Sequence, residues 1–255
     1  MKIVVKVGTS TLAYPTGHIN IRRVESLCKV LADIANAGND VILVTSGAIG
    51  MGMGKLSLSK RPDDIASKQA AAAVGQCELM YIYDKLFGEY NRTVAQILLT
   101  GNIVHDAESL SNFRAMMARL LEMHVIPIIN ENDSVATAEI KIGDNDTLSA
   151  IVAQSIGADL LVLMSDIDGL YTADPRRDPN AKLISEVREL TPDILALGEG
   201  AGSSLGTGGM QTKLHAAQIC MGAGCDMRIV NGSEPTILYG IMDGEAPGTL
   251  FVGGK

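Results

Sequence analysis

Two lysines stand where a purely structural cation would be unfavourable. Lys6 interrupts the apolar run "KIVVKV" (2–7) and is followed by Gly8, which permits close approach to the backbone. A lysine in a buried strand is costly unless its ammonium reaches a binding site or snorkels to solvent from an edge strand, and both readings fit. Lys213 closes the glycine-rich stretch "GEGAGSSLGTGGMQTK" (198–213) and falls in the first turn of a helical pattern, where it opposes the helix dipole. Open backbone amides, a helix N-terminus and a lysine together make a cradle for phosphate. No GxxxxGK[ST] pattern aligns there, so the stretch is not a Walker A loop.

A third concentration of polar groups is "NENDSVATAEIKIGDNDTLSA". Asn130, Asn132 and Asp133 follow the run "VIPII", and Asp144, Asn145 and Asp146 follow the alternating "TAEIKIG" (137–143), which reads as a hairpin arm. Asn145 or Asp146 can cap the helix that begins here. One cap leaves several acceptors over, a set suited to an ammonium group, a metal-bound nucleotide or a nearby lysine. In "TSGAIGMGMG" (45–54), Gly47, Gly50 and Gly52 run in the order GxxGxG. A dinucleotide fingerprint needs GxGxxG with an acidic residue ending the next strand, so a nicotinamide oxidoreductase is disfavoured. The Ser46 hydroxyl and neighbouring amides can still meet a small anion. Ser165 and Asp166 leave "LLVLM" (160–164), while "TADPRRDPNA" reads as surface turns shaped by Asp174 and Asp178. The four histidines, His18, His105, His124 and His215, are scattered and offer no catalytic base.

The elements that must position these groups are legible as alternating patterns. Short apolar runs at 2–7, 40–44, 93–99, 125–129, 160–164 and 226–230 read as strands buried on both faces. Helical spacing covers Ile21 to Ile34, ending at Gly38, and the segments 68–90, 110–124 and 210–224. Such alternation implies one large domain with a mainly parallel sheet in a three-layer α/β sandwich, and ligands beyond the C-terminal strand ends.

With 21 Lys and Arg against 29 Asp and Glu and no basic run, nucleic acid is not expected as a partner. An apolar content of 47% supplies a core, yet no stretch is long and apolar enough for a membrane span. Lys6 breaks the N-terminal apolar run too early for a signal peptide. Four cysteines without CxxC spacing fit a reducing cytoplasm.

Taken together, "VVKVGTS", "VTSGAIG", "ASKQAAAAVGQ", "QILLT", "PIINENDSVATAEIKIGDNDTLSA", "DGLYTADPR" and "GTGGMQTKLHAA" resemble the amino acid kinase family along essentially the whole chain. The resemblance implies the carbamate kinase-like fold over 1–255, with an acceptor part mainly in the first half and a nucleotide part mainly in 160–255. It implies ATP- and Mg²⁺-dependent phosphorylation of the γ-carboxylate of L-glutamate, the first step of proline synthesis. Lys6 and Lys213 are then catalytic, flanking the transferred phosphoryl group, with Asp144 orienting them. Lys6, Gly8, Ser165, Asp166, Thr207, Gly208, Gly209, Met210, Gln211, Thr212 and Lys213 form the implied ATP site. Ser46, Gly47, Asp133, Asn145 and Asp146 form the implied substrate site, the last three facing the α-ammonium. Mg²⁺ is held mainly by the phosphates, with no protein metal ligands.

The resemblance also implies a homo-oligomer (dimer or tetramer), feedback inhibition by proline and hand-over of product to glutamate-5-semialdehyde dehydrogenase. Many members have Thr where Ser165 stands. Many also continue into a PUA domain, whereas this sequence is expected to comprise the kinase domain alone. Within the family, N-acetylglutamate, aspartate, carbamate and UMP are rival acceptors. A nucleotide-binding regulator without catalysis is the reading from another class.

Overall fold

Apolar runs without polar alternation are stable as strands only when both faces are covered. The computed structural model describes residues 1–14, 18–101, 106–136, 144–198 and 209–254; it covers five of the six runs in this way, while the run at 93–99 lies at the sheet edge and is only partly buried. The chain opens with β1 (Lys2–Val7), α1 (Thr9–Leu12), α2 (Ile21–Asn36), β2 (Asp40–Val44), α3 (Ala48–Lys55) and α4 (Ile65–Gly88). It continues through β3 (Val94–Leu99), α5 (Ala107–Glu122), β4 (Ile126–Glu131), α6 (Asn145–Ile156) and β5 (Leu160–Ser165). The last part holds β6 (Glu186–Val187), α7 (Pro192–Ala196), α8 (Met210–Gly222), β7 (Asp226–Asn231), α9 (Ile237–Met242) and β8 (Thr249–Phe251).

Among the described residues the strands form one sheet in the order β3-β4-β2-β1-β5-β7-β8-β6. Pairing is parallel from β3 to β7, and β8 joins β7 antiparallel. β1 lies between β2 and β5, so the strand order switches there and a crevice opens beyond the C-terminal ends of these strands.

The two faces carry separate cores. Ile3, Val5 and Val7 pack with Leu27 and Leu31 of α2, Leu79 and Tyr83 of α4 and Leu238 of α9. Val4 packs on the other face with Met117 of α5, Leu148 of α6 and Leu214 of α8. Alternation along β1 therefore puts Lys6 on the Val4 face, under α6 and α8. Because β1 is a central strand, the edge-strand snorkelling reading of Lys6 fails.

The six strands expected from apolar runs are present, with ends within a residue or two. β6 and β8 were not foreseen, since two or three residues carry no periodic signal. The arm read in 137–143 lies outside the described residues. Asp174 and Asp178 do shape turns, accepting the backbone N–H groups of Arg176 and Asn180.

The glycine-rich 45–54 is not simply a loop: from Ala48 it is α3, lying close along α4. Gly52, with Gly75 of α4, serves packing. A Cβ on Gly75 of α4 would lie 1.8 Å from the Ala48 carbonyl oxygen, and one on Gly52 of α3 would lie 1.8 Å from that of Ala71. Gly75→Ala should therefore destabilise by about 3 kcal/mol in urea denaturation, because backbone must move to admit the methyl group. Gly50→Ala has nothing within 4 Å of the new atom and should be neutral or stabilising by up to about 1 kcal/mol. Equal effects at the two positions would refute the contact argument.

Candidate active site

The site is built around one buried carboxylate. Asp146 sits in the first turn of α6, 1% exposed, where the helix dipole favours a negative charge. Lys6 Nζ, brought by β1, lies 2.6 Å from its Oδ1. Lys213 Nζ, brought by the first turn of α8, donates to its Oδ2 at 3.0 Å. The Thr212 hydroxyl lies 3.1 Å from the same Oδ2 and 2.8 Å from the Gly209 carbonyl, with one proton to share between them. Burial alone would push the Asp146 carboxyl up, but the Lys6 and Lys213 ammoniums outweigh it and hold the group well below the usual carboxylate range.

This geometry exchanges two expected roles. Asp144 was expected to orient the lysines, with Asn145 or Asp146 available as the cap. Asp144 is itself the N-cap: its Oδ1 accepts the Thr147 backbone N–H at 2.9 Å and its Oδ2 the Thr147 hydroxyl at 3.0 Å. Because the helix starts at Asn145, the residue in the first turn that faces the lysines is Asp146. Asp146 is thereby committed to two protein ammoniums rather than to one on a substrate.

On the β2 and β4 side, Asn145 Nδ2 donates to the Thr45 carbonyl at 2.6 Å and to Asn130 Oδ1 at 3.0 Å. The Ser46 hydroxyl donates to the Val7 carbonyl at 2.9 Å, tying the exits of β2 and β1 together. Asp133 lines a small crevice with Ala48, Gln76, Glu131, Asn132 and Ser134. Gly47 starts α3 with φ +99°, a left-handed backbone that favours glycine.

Helix starts divide into those capped by a side chain and those that are not, the latter including α9 at Thr236, away from the site. α2, α4, α5, α6 and α7 have side-chain caps from Asn20, Asp64, Asp106, Asp144 and Thr191. α1, α3 and α8 begin at Gly8, Gly47 and Gly209, with no side-chain cap among the described residues. Open helix starts of this kind suit anions.

At the β5 exit, the Ser165 hydroxyl donates to Asp166 Oδ1 at 3.3 Å, and Arg176 reaches Asp166 Oδ2 at 3.4 Å. Beside them a cleft of about 260 Å³ is lined by Leu170, Tyr171, Pro175, Arg177, Leu197 and Met210, among others. Met210 starts α8, so the cleft adjoins the Lys213 end of the site. Tyr171, Pro175 and Arg177 were passed over as part of a surface excursion. The signal that could have found them is the apolar "GLY" leading into the Asp-Pro turns. Gln211 is exposed and Thr212 half-buried, while Thr207 and Gly208 lie outside the described residues.

Two ammoniums against one carboxylate leave a net positive charge, and with glycine-started helices that donor set fits a polyphosphate. Among the described residues no cluster of three or more His, Cys, Asp or Glu is placed to hold a metal ion. The converging donors are cationic or N–H groups, so they do not fit a resident metal.

Residues 1–231 match the model of the amino acid kinase family, and the chain belongs to that family. A protein of Clostridium perfringens named glutamate 5-kinase is 51% identical over all of this chain and 96% of its own length. A protein of Listeria innocua with the same name is 53% identical over all of this chain and 94% of its own length. Among solved structures, a UMP kinase from Bacillus anthracis superposes with a TM-score of 0.68 at 17% identity, over 100% of this chain and 96% of its own. An isopentenyl phosphate kinase of T. acidophilum gives 0.67 at 16%, over 98% of this chain and 100% of its own. At that distance the structures share the fold. Among the described residues no helix is long and apolar enough to cross a membrane.

Replacing Asp146 by Asn should destabilise by about 3 kcal/mol at pH 7 in urea denaturation, since two partly buried ammoniums lose their counter-charge. The folded carboxyl titrates below its unfolded value of about 3.9. Its contribution is thus complete above that value and fades as pH falls through the folded one. The gap between wild type and Asp146→Asn should therefore shrink below about pH 4. A gap that stays constant down to pH 2 would contradict the ion-pair account.

Proposed function

We propose that this chain is an ATP-dependent kinase that phosphorylates the γ-carboxylate of L-glutamate, opening proline synthesis. The observation that carries the chemistry is the convergence of Lys6 and Lys213 on Asp146 at the sheet's switch point. The acceptor is supported by the full-length relatives named glutamate 5-kinase.

A glutamate γ-carboxylate, with a pKa of about 4.3, is ionised at pH 7 and needs no general base. Its oxygen forms the new bond to the γ-phosphorus of ATP as the bond to the β,γ-bridging oxygen breaks, giving an acyl phosphate and ADP. Charge repulsion between carboxylate and triphosphate is the main obstacle, so catalysis consists of positioning and cations. Lys6 and Lys213 flank the transferred group, and Asp146 sets their separation and orientation. The amides starting α1, α3 and α8 meet phosphate oxygens, and the cleft by Tyr171 and Pro175 receives the nucleoside. Mg²⁺ arrives with ATP and neutralises phosphate charge.

Asp133 and Asn145 stand on the acceptor side, where a carboxylate beside the α-ammonium selects free glutamate over its N-acetylated form. With Ser46 and Gly47 in the first half of the chain and Asp133 and Asn145 just past its midpoint, the acceptor part precedes the nucleotide part in 160–255. Free cysteines support a reducing, cytoplasmic setting. Assembly as a dimer or tetramer and hand-over of the labile acyl phosphate to a reductase complete the reading.

Hydroxylamine traps an acyl phosphate as its hydroxamate. With ATP and Mg²⁺, hydroxamate should form with L-glutamate and not with N-acetyl-L-glutamate or L-aspartate, and UMP should cause no release of ADP. ATP binding without turnover of any acceptor would instead establish a regulator. Lys213→Ala should lower kcat by about 100-fold or more with little change in the KM for glutamate. An unaltered kcat in the folded variant would remove Lys213 from the mechanism.

A further inference from the structure

Gln76, on α4, is 8% exposed and reaches the crevice that Asp133 lines. Its Oε1 accepts from Asn130 Nδ2 at 2.9 Å. Asn130 Oδ1 accepts from the Glu131 backbone N–H at 2.9 Å and from Asn145 Nδ2 at 3.0 Å, and Asn145 Nδ2 also donates to the Thr45 carbonyl. The direction of this relay is not open to an amide flip. A backbone N–H only donates and a backbone carbonyl only accepts, so Asn130 turns its oxygen to Glu131 and its Nδ2 to Gln76. Gln76 must then present its oxygen to Asn130. Its Nε2 is left buried, with no hydrogen-bond partner among the described residues.

Buried donors without an acceptor are rare in folded proteins, and Gln76 is one of the residues lining the crevice shared with Asp133. We propose that Gln76 is a substrate-recognition residue whose Nε2 donates to an α-carboxylate oxygen of the amino acid acceptor. The inference rests on the kinase reading above. The γ-carboxylate belongs beside Lys6 and Lys213, and Asn145, at one end of the relay, immediately precedes Asp146 in α6. The other end of the substrate carries one cation and one anion on the same carbon. The crevice offers an acceptor in Asp133 and a donor in Gln76 to meet them. The amide relay fixes the position of that donor relative to the lysines through α6, β4 and α4.

The test compares L-glutamate with 4-aminobutanoate, which is glutamate without its α-carboxylate, in the hydroxamate assay. Gln76→Glu keeps an oxygen for Asn130 but replaces the donor with a repelling one. Its KM for L-glutamate should rise about 10- to 100-fold, with the KM for ATP and kcat nearly unchanged. The inhibition constant of 4-aminobutanoate against L-glutamate should stay within about twofold of wild type, because that molecule lacks the group Gln76 holds. Should Gln76→Glu fail to fold by thermal melting, Gln76→Met carries the same comparison. An unchanged KM for L-glutamate, or equal weakening of both compounds, overturns the proposal. If wild type forms hydroxamate with L-glutamate while the variant's KM is unchanged, this inference alone falls. If wild type forms none, the glutamate reading falls and takes the inference with it.

Discussion

Everything in the site depends on one carboxylate holding two ammoniums. Lys6 comes from β1, Lys213 from α8 and Asp146 from α6, so the cluster ties a central strand to the two helices that cover it. Two buried lysines side by side would repel, and neither would have a defined position. A single buried aspartate, held ionised by both, removes the repulsion and leaves the site net positive. Ionic clusters of this kind are weak contributors to stability compared with apolar packing of the same volume. Their presence on the core face of the sheet is better explained by the phosphoryl chemistry than by the fold.

The same division of labour runs through the helix starts. Away from the lysines, Asn20, Asp64, Asp106 and Thr191 meet the first N–H groups of α2, α4, α5 and α7, while α9 starts at Thr236 without a side-chain cap. At α1 and α3, which start at strand exits, and at α8, Gly8, Gly47 and Gly209 stand at the cap, with no side-chain cap among the described residues. α6 is the exception, capped by Asp144, because it presents a carboxylate rather than amides to the site. The glycines within α3 and α4 act at the next level, since their close crossing holds Gly47 at the β2 exit.

Much of this was legible in the residues. Six strands carry their apolar runs openly, though β3 is a partly exposed edge strand, and Lys6 inside β1 left a binding site and a snorkelling edge residue equally open until the strand order was known. What was not legible depended on tertiary contact or on a one-residue register. "GAIGMGMG" reads as a loop because only the close approach of Ala71 explains Gly52 in a helix, while Gly50 and Gly54 have nothing within 4 Å. Asp144 and Asp146 look interchangeable until the helix start is known. That start turns one carboxylate onto the backbone of its own helix and the other onto the lysines. The cleft by Tyr171 and Pro175 is assembled from turns whose sequence signals only a change of direction.

The two lysines are not equivalent partners of Asp146. Lys213 makes an aligned hydrogen bond to Oδ2 and is 8% exposed in its side chain. Lys6 lies closer, 2.6 Å from Oδ1, and its side chain is the more exposed at 12%. Each ammonium carries three protons, so it can hold Asp146 with one and turn others toward phosphate oxygens. A ligand arriving at the β1 exit therefore meets two ammoniums already positioned by one carboxylate. Preorganisation of that kind favours groups whose negative charge grows during transfer, because the cation need not be moved when the charge appears.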